Sequence, residues 1–246
     1  MKDTIKIEKG SVRMVAHRGV SGLERENTCP AFVAAGNRSY FGVETDVHLT
    51  RDGRFVVIHD STTDRVSNGA YSLNVEESDY ETLVQVVLPD LDGSTVRRDI
   101  RIPLLSEYIA ICQKYEKVCV LEIKGRFPRE VLVRLVEQIR EMGYLEQMIF
   151  ISFDYENCID LRQILPEAEI QWLVGGKEPL DEAAIMARLC EYRLDLDVAY
   201  HHLNASFVRR LHEKGMRVNC WTCNTPEEAY ALKEMGVDFI TTNILE

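Results

Sequence analysis

Over most of the chain, short apolar runs alternate with amphipathic stretches of helical period. Leu105, Tyr108, Ile109 and Cys112 form one stripe at spacings of three and four, and Leu132, Leu135, Val136 and Ile139 form another. Runs suited to strands fall at 118–124, 148–153, 169–174, 196–201, 217–223 and 237–242. Gly143, Gly215 and Gly236 each stand where a helix should end just before a strand. Thr225-Pro226-Glu227-Glu228 reads as a capping box with proline at the first helical position. Adding 13–17 and 42–47 gives eight strands in βα alternation over 246 residues, the pattern of a TIM (β/α)8 barrel. The alternative, a doubly wound open sheet, lacks its glycine-rich fingerprint after the first strand. One domain is expected over 1–246, with an irregular insertion at about 61–103 that holds one short helix within 75–88.

The stretch Gly42–Asp60 is the densest in chemistry. Glu44 and Asp46 are two apart on a strand and share a face, whereas Val43 and Val47 take the other. Asp52-Gly53 signals a tight two-residue turn into an antiparallel return at 55–59, which would set Val47 against Ile58 and His59 against Asp46. Two adjacent buried carboxylates need a compensating cation. Glu122 and Lys124 repeat the spacing on another strand, flanked by Leu121 and Ile123. In a barrel these side chains, with His17-Arg18 after the first strand and Trp221 on a later one, converge on one mouth.

Composition narrows the partners. There are 29 Lys plus Arg against 40 Asp plus Glu, a formal charge of −11, which argues against nucleic acid and against stable membrane association. An anionic substrate then needs a local positive pocket, which Arg18 and Lys124 can supply. The first eleven residues carry lysines and acids without an apolar core, so neither a signal peptide nor an anchor is expected, and a cytoplasmic protein is. Seven scattered cysteines read as reduced core thiols. Cys220 and Cys223, inside a strand-like run, do not suit a redox or zinc motif. Arg97, Arg98 and Arg101 read as a solvated face. His201, His202 and His212, without acids at ligand spacing, read as structural or surface residues.

Three carboxylates with no second cluster suit one Mg2+ or Ca2+ ion with oxygen ligands. Two histidines beside such a centre can divide the work of general base and general acid near neutral pH. That assembly fits cleavage of a small anionic phosphate diester.

His17-Arg18-Gly19, Glu26-Asn27-Thr28, the run from Glu44 to Asp60, Leu121 to Lys124 and Trp221-Thr222 together resemble the glycerophosphodiester phosphodiesterase family over essentially the whole chain. The resemblance implies a TIM barrel with an insertion after the second strand. It implies Glu44, Asp46 and Glu122 as metal ligands, His17 and His59 as catalytic residues, and Arg18 and Lys124 as phosphate-binding cations, with Trp221 a candidate at the substrate. The implied reaction is hydrolysis of a glycerophosphodiester to glycerol 3-phosphate and an alcohol. Two positions depart from the family pattern: Arg25, where proline is frequent, and Thr241-Thr242-Asn243, where an aspartate near Thr242 is commoner. The rival readings are a phospholipase-type phosphodiesterase acting on lysophospholipid and a non-catalytic phosphodiester-binding protein.

Overall fold

A computed structural model describes residues 3–246; the first two residues of the amino-terminal segment discussed above lie outside the described residues. Eight parallel strands close on themselves: β1 (Arg13–Ala16), β2 (Gly42–Leu49), β4 (Val118–Ile123), β5 (Met148–Ser152), β6 (Glu169–Val174), β7 (Asp195–Ala199), β8 (Val218–Trp221) and β9 (Phe239–Thr242). The hydrogen-bonded order is β1-β9-β8-β7-β6-β5-β4-β2, and β1 pairs with β2 to complete the ring. The extra strand β3 (Phe55–Val57) runs antiparallel to β2 outside the ring. The fold is therefore the TIM barrel expected from the βα alternation.

The helices are α1 (Cys29–Gly36), α2 (Tyr80–Leu83), α3 (Leu105–Lys114), α4 (Arg129–Glu141), α5 (Tyr155–Ile164), α6 (Glu182–Tyr192), α7 (Ala205–Glu213) and α8 (Pro226–Met235). Both stripes predicted for α3 and α4 are buried against the outer face of the strands, in one cluster with Val43, Val47, Leu121 and Ile123. Each such side chain contributes roughly 1.5–3 kcal/mol on burial. Their alternates, Glu44, Asp46 and Glu122, therefore face inward. Gly143, Gly215 and Gly236 take positive φ just beyond α4, α7 and α8. The Thr225 hydroxyl accepts from the Glu228 amide at the start of α8.

The hairpin differs from expectation by one residue. Val47 pairs with Val57 and Leu49 with Phe55, so Asp46 faces Ile58 and not His59. The cause is a three-residue loop in place of a two-residue one: Gly53 donates to the Thr50 carbonyl at 2.9 Å and adopts φ +77°. The Thr50 hydroxyl further accepts from the Arg54 amide at 2.8 Å. His59 consequently lies past the end of β3. Strand boundaries also shorten: β8 ends at Trp221, leaving Cys223 in the following loop while Cys220 stays in the strand, and both are buried free thiols.

Residues 61–103 carry little regular structure, with α2 confined to four residues. They nonetheless enclose a small core of their own, in which Val66, Val75, Leu83 and Ile102 pack on Val56 and Ile58. Arg97 is no merely solvated charge: it binds Glu24, Asp90 and Asp99, and so ties the insertion to the loop after β1. Arg101 pairs with Glu107 of α3.

Candidate active site

The carboxyl ends of β1, β2, β4, β7 and β8 surround a cavity of about 60 Å³. His17, Arg18, Glu44, His59 and Glu122 line one side, and Phe153, Leu173, Asp197 and Trp221 line the other. A larger concavity, about 1010 Å³, lies at the opposite end of the barrel, but its Arg217 is neutralised by Glu169 and Asp195. Barrel chemistry belongs to the carboxyl end of the strands, where the smaller cavity lies.

Glu44, Asp46 and Glu122 are buried, and one oxygen from each falls within 4.8 Å of the others. Asp46 is the most constrained. Its Oδ2 accepts from Asn27 Nδ2 at 2.8 Å and faces Arg18 Nε at 3.5 Å, while Lys124 Nζ stands 3.4 Å from Oδ1. Burial opposes its ionisation, but the Lys124 and Arg18 charges prevail and hold the acid well below the usual carboxylate range. Glu44 and Glu122 move the other way. Burial and the neighbouring Asp46 charge push Glu44 well up and Glu122 up to about 7. Asp46 Oδ1 has no hydrogen-bond partner among the described residues. Three crowded carboxylates, two of them resisting ionisation and one with an orphaned oxygen, form a donor set that fits a hard divalent cation.

The loop after β1 supplies the cations. Arg18 adopts φ +54°, which turns its amide onto Glu44 Oε2 at 2.8 Å and its guanidinium onto Glu26 and Asp46. Asn27, also at φ +54°, bridges Thr45 and Asp46. A backbone held left-handed at two non-glycine positions is strain concentrated around one carboxylate pair. Lys124 completes the positive wall, 2.7 Å from Glu122.

The two histidines have different supports. His17 Nδ1 lies 2.7 Å from Asn243 Oδ1, and its Nε2 is 4.0 Å from Glu44. Burial, with the Arg18 charge adding to it, pulls His17 down to about 4. His59 Nδ1 lies 2.6 Å from Asp60 Oδ1, and Arg65 holds the far oxygen of Asp60 at 2.7 Å. Arg65 also binds both oxygens of Glu26. Burial again lowers His59, against the opposing pull of Asp46 and Asp60.

All eight residues singled out from the sequence meet around this cavity or directly behind it. Four others carry weight there without having been singled out. Asn27 stood inside a recognised motif without a role, and Asn243 was noted only as a departure. Asp60 and Asp197 carried no separate signal. His202 donates to the Gly176 carbonyl at 2.9 Å, and His212 pairs with Asp238 at 2.9 Å, both away from the cavity.

Comparison with known proteins agrees with the geometry. Residues 17–246 match the model of the glycerophosphoryl diester phosphodiesterase family. A glycerophosphodiester phosphodiesterase of Caldanaerobacter subterraneus is 29% identical over 235 residues, covering 94% of this chain and 93% of its own. One from Bacillus altitudinis is 26% identical over 244 residues, covering 94% of each. A phosphodiesterase from Oleispira antarctica, solved with the product sn-glycerol 3-phosphate, superposes with a TM-score of 0.84 at 24% identity, over 94% of this chain and 92% of the other.

Proposed function

Because this chain belongs to the glycerophosphoryl diester phosphodiesterase family, we propose that it hydrolyses glycerophosphodiesters to glycerol 3-phosphate and an alcohol with the aid of one divalent cation. The observation that carries the reading is the convergence of three buried carboxylates with two histidines on one small cavity. Glu44, Asp46 and Glu122 would hold Mg2+ or Ca2+. The ion would supply charge neutralisation and Lewis acidity at a phosphoryl oxygen.

The remaining work belongs to the chain itself. Arg18 and Lys124 place positive charge where the diester's phosphate must sit and where negative charge grows during the reaction. His17 is neutral across the physiological range, and an amide oxygen beside Nδ1 makes that nitrogen the proton donor. Its Nε2 lone pair then faces the carboxylate cluster, which suits it to take the proton from the attacking oxygen. His59 has a carboxylate behind it, and Asp60 stabilises the imidazolium that must deliver a proton to the leaving alkoxide. Phe153 and Trp221, with ring centroids 5.6 Å apart, form an aromatic rim against which the substrate can pack.

The deciding experiment is release of glycerol 3-phosphate from glycerophosphocholine by metal-stripped protein, with Mg2+ or Ca2+ restored and lysophospholipid run in parallel. Metal-restored release from glycerophosphocholine alone is expected. Turnover of lysophospholipid alone, or tight metal binding without turnover of either, would overturn the reading.

A further inference from the structure

Asp197 occupies the middle of β7, between Leu173 of β6 and Asn219 of β8. Its strand neighbours Leu196 and Val198 belong to the helix-facing core, so alternation turns Asp197 into the barrel. It lines the cavity on the wall opposite Arg18 and His59, and it is 1% exposed. Among the described residues nothing satisfies it: Oδ1 is buried without a hydrogen-bond partner, and no side chain pairs with the carboxyl. Inward polar groups nearby fare otherwise, since Asn219 binds both Gln171 and Thr241. Trp221, on the same wall, also has a buried Nε1 without a partner among the described residues.

An orphaned carboxyl on the wall of a binding cavity destabilises the empty protein, and it is accounted for when a ligand supplies the missing partner. Three candidates fail on chemistry. The cation cluster is complete without Asp197, which is not among the carboxylates that gather within 4.8 Å. The substrate phosphate is anionic and belongs with Arg18 and Lys124. A trimethylammonium group has no hydrogen to donate, and a half-exposed aromatic rim at Phe153 and Trp221 suits it better than a polar wall. An alcohol hydroxyl remains. Burial, with Glu122 adding, pushes the Asp197 acid well above its ordinary range. A hydroxyl suits the carboxyl in either state, because it can donate to the carboxylate or accept from the acid.

We propose that Asp197 is a specificity-determining residue that hydrogen-bonds a hydroxyl of the substrate's glycerol group, so that the buried end of the cavity selects the polyol and the aromatic rim takes the other substituent. This rests on the reaction proposed above and assigns its substrate selection to a named side chain.

The test measures binding of sn-glycerol 3-phosphate and of n-propyl phosphate, which lacks both hydroxyls, to the Mg2+-loaded protein by calorimetry. Wild type, Asp197→Ala and Asp197→Asn are compared, with thermal melting and Mg2+ titration of each. Wild type should prefer glycerol 3-phosphate by about 10-fold or more, the scale on which a site built for a hydroxyl rejects its absence. Asp197→Ala should bring the two ligands within about 2-fold by weakening only glycerol 3-phosphate, with Asn retaining part of the preference. Melting of Asp197→Ala should be unchanged or higher, because an unsatisfied buried carboxyl is removed. Equal weakening of both ligands, no weakening, or lost Mg2+ affinity would overturn the assignment, and Asp197→Asn decides should the alanine variant not fold. The two proposals fail separately: wild type that releases no glycerol 3-phosphate from glycerophosphocholine defeats the reaction, and this assignment with it. A wild type that releases it while Asp197→Ala keeps the hydroxyl preference defeats only the assignment.

Discussion

His17 Nδ1 and Asn243 Oδ1 lie 2.7 Å apart across the first and last segments of the barrel. An amide oxygen accepts and never donates, so the bond fixes the proton on Nδ1 and leaves Nε2 as the basic atom. The Ser21 hydroxyl donates to the same oxygen at 2.9 Å, and the Asn243 backbone N–H donates to Asn224 Oδ1 at 2.8 Å, so both the orienting side chain and the backbone that carries it are held.

Asn243→Asp tests that arrangement. A carboxylate in place of the amide favours the imidazolium and should raise His17 from about 4 by about 1–3 pH units. The acid limb of the pH dependence of kcat/KM should shift upward with it. An unmoved acid limb would remove His17 from the role of base.

Either histidine alone should be indispensable. His17→Ala and His59→Ala should each lower kcat by about 10²–10⁴-fold. Mg2+ affinity, read by titration calorimetry, should be preserved within a few-fold. Asp60→Asn should cost less than His59→Ala and should depress kcat more than it raises KM, because the carboxylate steadies the charged ring and does not touch substrate. A variant histidine with near-normal turnover would have to be struck from the mechanism.

Metal and proton should compete at the carboxylates. Glu122 is raised to about 7 from an ordinary 4.5, so in the metal-free protein its stabilising contribution is complete below pH 4.5 and is lost as pH rises through 7. A divalent ion needs the deprotonated form. The increase in Tm on adding Mg2+ should therefore be larger at pH 8 than at pH 5. Equal increments at both pH values would show that the ion binds elsewhere.

Gly175→Ala probes the aromatic rim without altering any charged residue. A Cβ there would approach Trp221 Cζ2 to 2.9 Å and Cη2 to 3.0 Å, closer than a real contact allows. The indole must move. KM for glycerophosphocholine should rise several-fold, on the order of one lost aromatic contact, with kcat changed little. Steady-state kinetics that show a fall in kcat alone would indicate that Trp221 serves the chemistry and not the fit.

Much of this arrangement is legible in the sequence because strand alternation is a strict rule. Glu44, Asp46 and Glu122 declare their facing through Val43, Val47, Leu121 and Ile123, and a closed barrel then leaves them only one place to meet. The hairpin misleads because a two-residue and a three-residue loop share the same Asp-Gly signal. The choice between them lies in the Thr50 hydroxyl and Gly53. Asn243 acts on a ring 226 residues away, and contacts between distant segments have no local pattern, whereas Asp60 adjoins His59 in the chain and only the folded backbone turns its carboxylate onto that ring. Asp197 is hidden for another reason: its strand reads Asp195, Leu196, Asp197, Val198, which is the alternation of any half-exposed strand, and only closure of the ring converts an outward acid into an inward one.

The Arg65 guanidinium grips Glu26 behind Arg18 and Asp60 behind His59, although it belongs to the irregular segment after β3. That segment is therefore no interchangeable ornament on the barrel. Transplanting another segment there in an engineered chimaera would sever the supports of a phosphate-side cation and of a proton carrier together, unless the graft brought a guanidinium to the same place. Within 61–103, Arg65 is the residue that such a graft has to reproduce behind the site.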